Sequence, residues 1–520
     1  MRIALPQLNY HNGNISANHE LMLQAIEKAK AEKADLIVFP ELSVCGPFPG
    51  DWLEREDFVE ECRLTVDKLA SRCGRMAAII GAPNLDAANG IMYNSAYFIQ
   101  DGEVTDGVHK TILSDYGSFS ESRYFVAGEE NTPIRFKNQA IRILFDEYEA
   151  DCIEKNDQLI LHIGITPFTT ASLEYRKNFL ASISQKYHKP VLSVSRTGAC
   201  TSIIFDGNSM VFNHKGMLCA RLAGFKEDFA VIDTQKITPI PSVPEENSIQ
   251  QTFRALVTGL RDFFFKNGFK QAVLGLSGGI DSAIVAALAA EALGAENVTG
   301  LLMPSGFSTG HSVKDAEDLV RNLGIHSHTL PIKNIYGQYL NTLSPLFKDL
   351  PFNLAEENLQ ARIRGMLVMA ASNKFGYIAL NTSNKSEAAV GYGTLYGDMC
   401  GSLAVIGDVY KTDIYKLARY INRSREIIPE NTIKKAPSAE LRPDQKDQDS
   451  LPDYQVLDPI LKLYIEENLS APDIVRKGYK PEVTRRVIQL VDRSEYKRAQ
   501  CPPVLKISKK AFGSDRKMPF

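Results

Sequence analysis

Short apolar runs alternate with longer stretches of helical periodicity along the first 240 residues. The segments "ADLIVFPEL", "MAAIIGAP" and "AIRILF" carry the consecutive aliphatic and β-branched positions of buried strands. Between them, "HELMLQAIEKAKAEK" spaces its apolar residues three and four apart, as one face of a helix requires. This alternation predicts an α/β layered domain. Near residue 240 the pattern lapses into "TPIPSVPEENS", rich in Pro and Ser and without apolar period. That lapse sets a linker over 241–250, between a first domain at 1–240 and a second at 251–520. Beyond it, "SIQQTFRALVTGLRDFFFKNG" predicts a helix ending at Gly268. "QAVLGLSGG" then reads as a strand, "DSAIVAALAAEALG" as a helix and "VTGLLMPS" as a strand. Strand, glycine loop, helix and strand in that order form a βαβ unit and call for a parallel sheet. No internal repeat or low-complexity segment interrupts the pattern.

Composition narrows the function classes. A chain of 520 residues makes roughly two to four domains. With 44% hydrophobic and 23% charged residues and a net charge of -3, nothing calls for a polyanionic partner, so nucleic acid is not expected. The N-terminus, "MRIALPQLNYHNGN", lacks the basic start and long apolar stretch of a signal peptide, and no run of about 18 apolar residues predicts a membrane span. Eight cysteines are scattered without C-x-x-C or zinc-site spacing. A reduced cytoplasm and no structural metal are the expectation.

The most informative stretch is "LSGGIDSA", Leu276 to Ala283. Gly278 and Gly279 let backbone N–H groups approach an anion closely, Ser277 and Ser282 add hydroxyls, and the following helix points its positive end at the same spot. Such a site suits a pyrophosphate. Asp281 would repel an anion by itself, so its best use is to hold a magnesium ion that bridges phosphate oxygens.

"SGGIDS" resembles the loop of ATP pyrophosphatases, which split ATP into AMP and pyrophosphate. Downstream, "ENLQARIRGMLVMAASN", "NTSNKSEAAVGYGTLYGDMCGSLAVIGDVYKTDIYKLARY", "PSAELRPDQKDQDSLPDYQVLD" and "EYKRAQCPP" are similar to the NAD synthetase family. The first half resembles the nitrilase-type glutamine amidotransferase domain fused to that synthetase. The resemblance implies a nitrilase-like αββα sandwich followed by a Rossmann-like ATP pyrophosphatase domain. It also implies adenylation of the nicotinic acid carboxylate of deamido-NAD by ATP, after which ammonia displaces AMP. A carboxylate is a poor electrophile until its oxygen becomes a good leaving group, and adenylation brings two anions together, so positive charge must be concentrated there. Carried over by motif, Gly275, Leu276, Ser277, Gly278, Gly279, Ile280, Asp281 and Ser282 would hold the ATP phosphates. Thr382, Lys411 and Ser438 would be further ATP contacts. Asn358, Glu387, Tyr392, Gly393, Thr394, Leu395, Asp398 and Lys497 would contact deamido-NAD, with Asp281 and Glu387 as magnesium ligands. Singly, Asn358 and Thr382 could instead be helix caps and Lys411 a solvated surface charge. Ser383 stands where the family usually has glycine; a positive φ there would cost on the order of 1 kcal/mol.

Nitrilase-type amidases use a glutamate, a lysine and a cysteine: the cysteine attacks the amide, the glutamate moves protons and the lysine stabilises the oxyanion. Glu41 of "FPELS" and Lys110 of "VHKTI" match the first two, and Tyr116 a residue lining the glutamine pocket. The family's cysteine strand ends "ICED", but the matching segment here is "LFDE", which puts Phe145 at the cysteine position with Asp146 and Glu147 after it. Likewise the family's "NASPF" and following basic residue read "GITPFTTAS", with Thr166 at the serine and Ser172 at the basic position. Cys152 lies past the strand end and Cys45 in the loop after Glu41; each reads as an ordinary thiol. The resulting expectation is an ATP- and magnesium-dependent NAD synthetase using free ammonia, with Glu41 and Lys110 as a vestigial pair. The alternative is a glutamine-hydrolysing enzyme with a non-standard nucleophile. Family resemblance further implies a cytoplasmic homo-oligomer.

Overall fold

Alternation within single strands decides how the first unit is layered. In Gln139–Leu144, Ile141 and Ile143 pack into one apolar core while Leu144 joins another on the opposite face, as a period of two dictates. The computed structural model describes residues 1–239, 246–348, 350–438, 440–442 and 445–519, arranged in two compact units, Met1–Glu245 and Glu246–Phe520. Positions 241–245 of the expected linker lie outside the described residues. Its last three positions, 248–250, are already helical, because Asn247 caps the helix Ser248–Lys266 in a capping box with Gln250. That helix ends two residues before the Gly268 expected from the pattern.

The first unit holds two six-stranded sheets. One runs Asp228–Asp233, Arg2–Gln7, Leu36–Val38, Ala77–Asp86, Ile91–Gln100, Glu103–His109. The other runs Leu218–Arg221, Met210–Phe212, Val191–Ser193, Leu159–His162, Gln139–Leu144, Ile134–Phe136. Ile3, Leu5, Ile79, Ile141, Ile143 and Leu161 pack together as one core between the sheets. The helices Ile15–Ala31 and Glu56–Cys73 cover the outer face of the first sheet and Ser172–Tyr187 that of the second. This is the expected αββα sandwich.

The second unit is built on five strands in the order His326–Thr329, Val298–Leu302, Ala272–Leu276, Ile378–Asn381, Leu403–Ala404, every pair parallel. The helix Ile280–Leu293 follows Ala272–Leu276 and leads to Val298–Leu302, as the βαβ pattern predicts. Strand order reverses between Ala272–Leu276 and Ile378–Asn381, and in open parallel sheets ligands bind outside the carboxyl ends of the strands at such a reversal. The glycine loop and the "TSNKSE" segment follow those two strands. Among the described residues no helix is long and apolar enough to cross a membrane.

Candidate active site

A cavity of about 650 Å³ opens in the second unit, lined by residues that include Gly275, Asp281 and Thr382. The turn above Leu276 is shaped by Gly278, whose φ of +76° and closeness to the Ser312 carbonyl leave no room for a side chain. Gly279 then caps the helix Ile280–Leu293 without any side-chain bond, leaving the helix N-terminus open to an anion. The two loop hydroxyls, expected to face phosphate, instead brace the turn: Ser277 Oγ accepts from Gly279 N–H at 3.1 Å and Ser282 Oγ donates to Gly279 O at 3.1 Å.

Three groups from separate elements converge beside the loop. Asp281 sits in the first turn of Ile280–Leu293, Glu387 in the short helix Lys385–Val390, and Lys411 at the start of Lys411–Ile421. Lys411 Nζ lies 2.5 Å from Asp281 Oδ2 and 3.1 Å from Glu387 Oε1. Its side chain is 2% exposed, so it is no solvated surface charge. Burial by itself would lower the ammonium, but Asp281 and Glu387 outweigh it and keep Lys411 above the ordinary lysine range. Burial pushes the Glu387 carboxyl up, against the pull of Lys411. Two carboxylates aimed at one cation beside a phosphate-type loop fit a magnesium ion, which commonly takes one or two carboxylates plus substrate phosphates. Among the described residues no cluster of three or more His, Cys, Asp or Glu side chains makes an all-protein metal cage.

Several partners of this cluster escaped the sequence reading although they lie within the quoted motifs. Asn384 caps the Lys385–Val390 helix by accepting Glu387 N–H at 3.0 Å and donates from its amide nitrogen to Asp281 Oδ1 at 2.9 Å, tying the two acids together. Lys385 is fully buried, its Nζ 2.9 Å from Asp408 and 2.8 Å from Glu466, which anchors the helix that carries Glu387. Asp447 accepts from Tyr392 Oη at 3.2 Å and Tyr454 Oη at 3.0 Å. Only their identity as buried, distant partners was hidden.

Of the expected nucleotide-site residues, all but Gly278 and Leu395 line the cavity. Gly278 shapes the loop from behind, and the Leu395 carbonyl accepts from Arg362 Nε at 3.2 Å. Neither Asn358 nor Thr382 is a cap: Asn353 and Asn384 cap the neighbouring helices, and Asn358 Oδ1 accepts from Thr394 Oγ1 at 2.8 Å. Lys497 Nζ donates to the Gly391 and Gly393 carbonyls at 2.8 Å each, and Asp398 accepts from Thr394 N–H at 2.8 Å. Ser438 Oγ accepts from Glu440 N–H at 3.1 Å. Ser383 is not among the residues with positive φ, so serine costs nothing there; its N–H donates to Asn381 Oδ1 at 2.9 Å.

Residues 252–501 match the NAD synthase family and residues 2–241 the carbon-nitrogen hydrolase family. Over the whole chain, the sequence is 41% identical to a glutamine-dependent NAD(+) synthetase of Synechocystis, covering 98% of that protein. It is 38% identical to the one of Thermotoga maritima, again over the whole chain and 98% of the relative. The chain belongs to the glutamine-dependent NAD(+) synthetase family. The solved glutamine-dependent NAD+ synthetase of Acinetobacter baumannii, in complex with adenosine diphosphate, is 36% identical with a TM-score of 0.81, covering 100% of this chain and 98% of that one. The second unit is thus an ATP-using NAD synthetase, a ligase, and the cavity at its strand reversal is the candidate active site.

The synthetase's first unit, of carbon-nitrogen hydrolase type, brings Glu41 and Lys110 together as expected. Lys110 Nζ lies 2.8 Å from Glu41 Oε1 and 2.8 Å from Glu121 Oε2, all three side chains buried. Asn94 Nδ2 donates to Glu41 Oε1 at 2.6 Å and Glu121 Oε1 at 3.0 Å, and Ser114 Oγ links Lys110 to Asp146. Burial pushes Glu41 up while Lys110 pulls it down. The Ile165 and Ser114 N–H groups donate to Glu41 Oε2 at 3.2 Å and Glu121 Oε2 at 2.6 Å, so lysine, asparagine and backbone together satisfy both acids. Phe145, at the position read for the amidase cysteine, is 2% exposed and belongs to the core between the sheets. Its N–H donates to Glu149 Oε2 at 2.8 Å, and a side chain on Gly164 would overlap its carbonyl. Tyr116 is exposed and packs on Phe119 at 5.3 Å, and Thr166 is part-buried in the loop past Gly164. Ser172 Oγ turns back to the Thr169 carbonyl at 2.9 Å. One helical turn on, Arg176, overlooked in the sequence, is buried and paired with Asp206 at 3.2 Å. Cys45 is buried with Sγ 3.5 Å from the Gly46 carbonyl, and burial pushes the Cys152 thiol up to about 11, away from nucleophilic use.

Proposed function

We propose that this enzyme makes NAD from deamido-NAD with free ammonia, its amidase-type unit being catalytically inert. Phe145 carries this reading: a phenyl ring buried in an inter-sheet core offers neither nucleophile nor proton chemistry where an amidase needs a thiolate. The buried, fully bonded Glu41–Lys110–Glu121 cluster agrees with a structural role. In the second unit, a carboxylate oxygen of deamido-NAD attacks the α-phosphorus of ATP and pyrophosphate leaves; ammonia then attacks the acyl carbon and AMP leaves. The loop Gly275–Ser282, with Thr382, Lys411 and Ser438, would bind ATP. Asn358, Glu387, Tyr392 to Thr394, Asp398 and Lys497 would receive deamido-NAD. Asp281 and Glu387 would hold magnesium, which supplies positive charge against the phosphate oxygens. Lys411 would orient both carboxylates from one side.

A homodimer of the synthetase unit in the cytoplasm is the further expectation. The helix Lys333–Phe347 buries none of its residues, and Leu346, Leu350, Phe352 and Leu354 are exposed near its end, an apolar face suited to a second copy. The competing reading, glutamine hydrolysis by another thiol, leans on Cys45 or Cys152. One assay separates the two: NAD formation from deamido-NAD and ATP with ammonium or glutamine as sole nitrogen source. Ammonium is expected to support turnover and glutamine none beyond its ammonia contamination; comparable rates would reverse the conclusion.

A further inference from the structure

The synthetase cavity also contains a cation that none of the roles above uses. Arg364 projects into its lining from the helix Leu354–Phe375. Its Nε donates to the Met303 carbonyl at 3.1 Å, just past the strand Val298–Leu302, and this is its one hydrogen bond to the described residues. No carboxylate among the described residues pairs with it at 4.0 Å or less. Arg364 is half-buried, whereas three buried arginines are matched by acids: Arg142 by Asp157 at 2.9 Å, Arg176 by Asp206 at 3.2 Å, Arg498 by Glu495 at 2.6 Å. Withdrawing a guanidinium from water without an anionic partner is costly. Burial accordingly pulls Arg364 below the ordinary arginine range, with Glu440 and Asp398 opposing from a distance. The Met303 anchor fixes the plane of the guanidinium and leaves its two terminal nitrogens unbonded, a fork that matches the spacing of phosphate oxygens. The position also suits a nucleotide, because Met303 Cε stands 3.1 Å from where a Gly275 Cβ would be, beside the strand that feeds the glycine loop.

We propose that Arg364 binds a phosphate oxyanion of a bound nucleotide, which completes the pairing that the protein leaves open. The inference rests on the reading of this cavity as the site for ATP and deamido-NAD, either of which could supply the phosphate. Calorimetric titration of the full chain with α,β-methylene-ATP plus magnesium, and separately with deamido-NAD, distinguishes the sources. Arg364→Gln is expected to weaken at least one of the two by roughly 30-fold or more. The thermal midpoint of the empty variant is expected to be no lower than that of the wild type, because a half-buried charge without an anionic partner has been removed. Arg364→Lys, which keeps the charge and loses the fork, should bind between the two, and carries the test if Arg364→Gln does not fold. Affinities within twofold of the wild type for both nucleotides would overturn the proposal. So would weakening matched by a drop in the empty protein's thermal midpoint, which marks a purely structural role. A wild type that binds neither nucleotide would overturn the cavity reading itself and this inference with it, a result distinct from any effect of the variants.

Discussion

Lys411 and Asp281, 130 positions apart in the chain, meet at 2.5 Å from the starts of two different helices. The contact aims a carboxylate at the mouth of the glycine loop and holds it against a buried ammonium. Asp281→Asn preserves the shape of the side chain but removes the charge available to a metal ion that bridges phosphate oxygens. Pyrophosphate release from ATP and deamido-NAD is therefore expected to fall by about 10²-fold or more, with the circular dichroism spectrum unchanged. Release near the wild-type rate would remove Asp281 from the chemistry.

Phe145→Cys tests whether a thiol alone can revive the first unit. The side chain at this position packs among Ile141, Ile143 and Leu161, so the sulfur is expected to lie in apolar core without becoming a nucleophile. Truncating a buried phenyl ring to alanine typically costs about 3–5 kcal/mol, and to cysteine somewhat less. Unfolding followed by fluorescence of Trp52, the one tryptophan of the chain, should show the loss. Glutamine-dependent NAD synthesis should remain absent. Its appearance at a rate near that with ammonium would show that the amidase pocket is otherwise intact.

Charging the exposed face around Lys333–Phe347 should separate the subunits of the expected dimer. Leu346 is 72% and Leu350 71% exposed, so glutamate at both positions disturbs little packing within the chain. Light scattering is expected to report a dimer for the wild type and a monomer for Leu346→Glu/Leu350→Glu, with far-UV dichroism unaltered. A wild-type monomer at micromolar concentration would discount this face.

His162 makes the first unit sensitive to acid. It is buried under the helix Ser172–Tyr187 with Nδ1 3.0 Å from Ser193 Oγ, and burial lowers its pKa from 6.5 to about 3. In the window between those values the unfolded chain takes up a proton that the folded chain refuses, so stability is lost as pH falls through it. At pH 5 the loss amounts to about 2 kcal/mol relative to pH 7.5. Urea midpoints from Trp52 fluorescence should fall accordingly, and His162→Gln should flatten the dependence over that range. An unchanged slope in the variant would assign the acid sensitivity to other groups.

Much of the fold could be read locally. The period of two in "AIRILF" and the period near 3.6 in "HELMLQAIEKAKAEK" survive because each reflects which face of a single element meets a core. The βαβ order around "LSGGIDS" likewise needs only neighbours in sequence. The expected linker ran too far because Pro and Ser density hides a cap: Asn247 starts a helix inside it by accepting backbone N–H bonds at 3.1 and 3.0 Å.

By itself the sequence determined which residue types were present at each motif: an acid in the glycine loop, a lysine in "VYKT", a phenylalanine after "RIL". What each of them touches was decided only by the tertiary structure. Lys411 could have been a surface charge until the parallel sheet brought Asp281 and Glu387 around it and excluded water. The parity of the strand, with the packing of two sheets, turned Phe145 into the shared core. Arg364 gained its meaning from a carbonyl 61 residues away and from the lack of any acid within reach among the described residues. Charge pairing and desolvation depend on distances between segments far apart in the chain, and those distances exist only once the sheets and helices have packed.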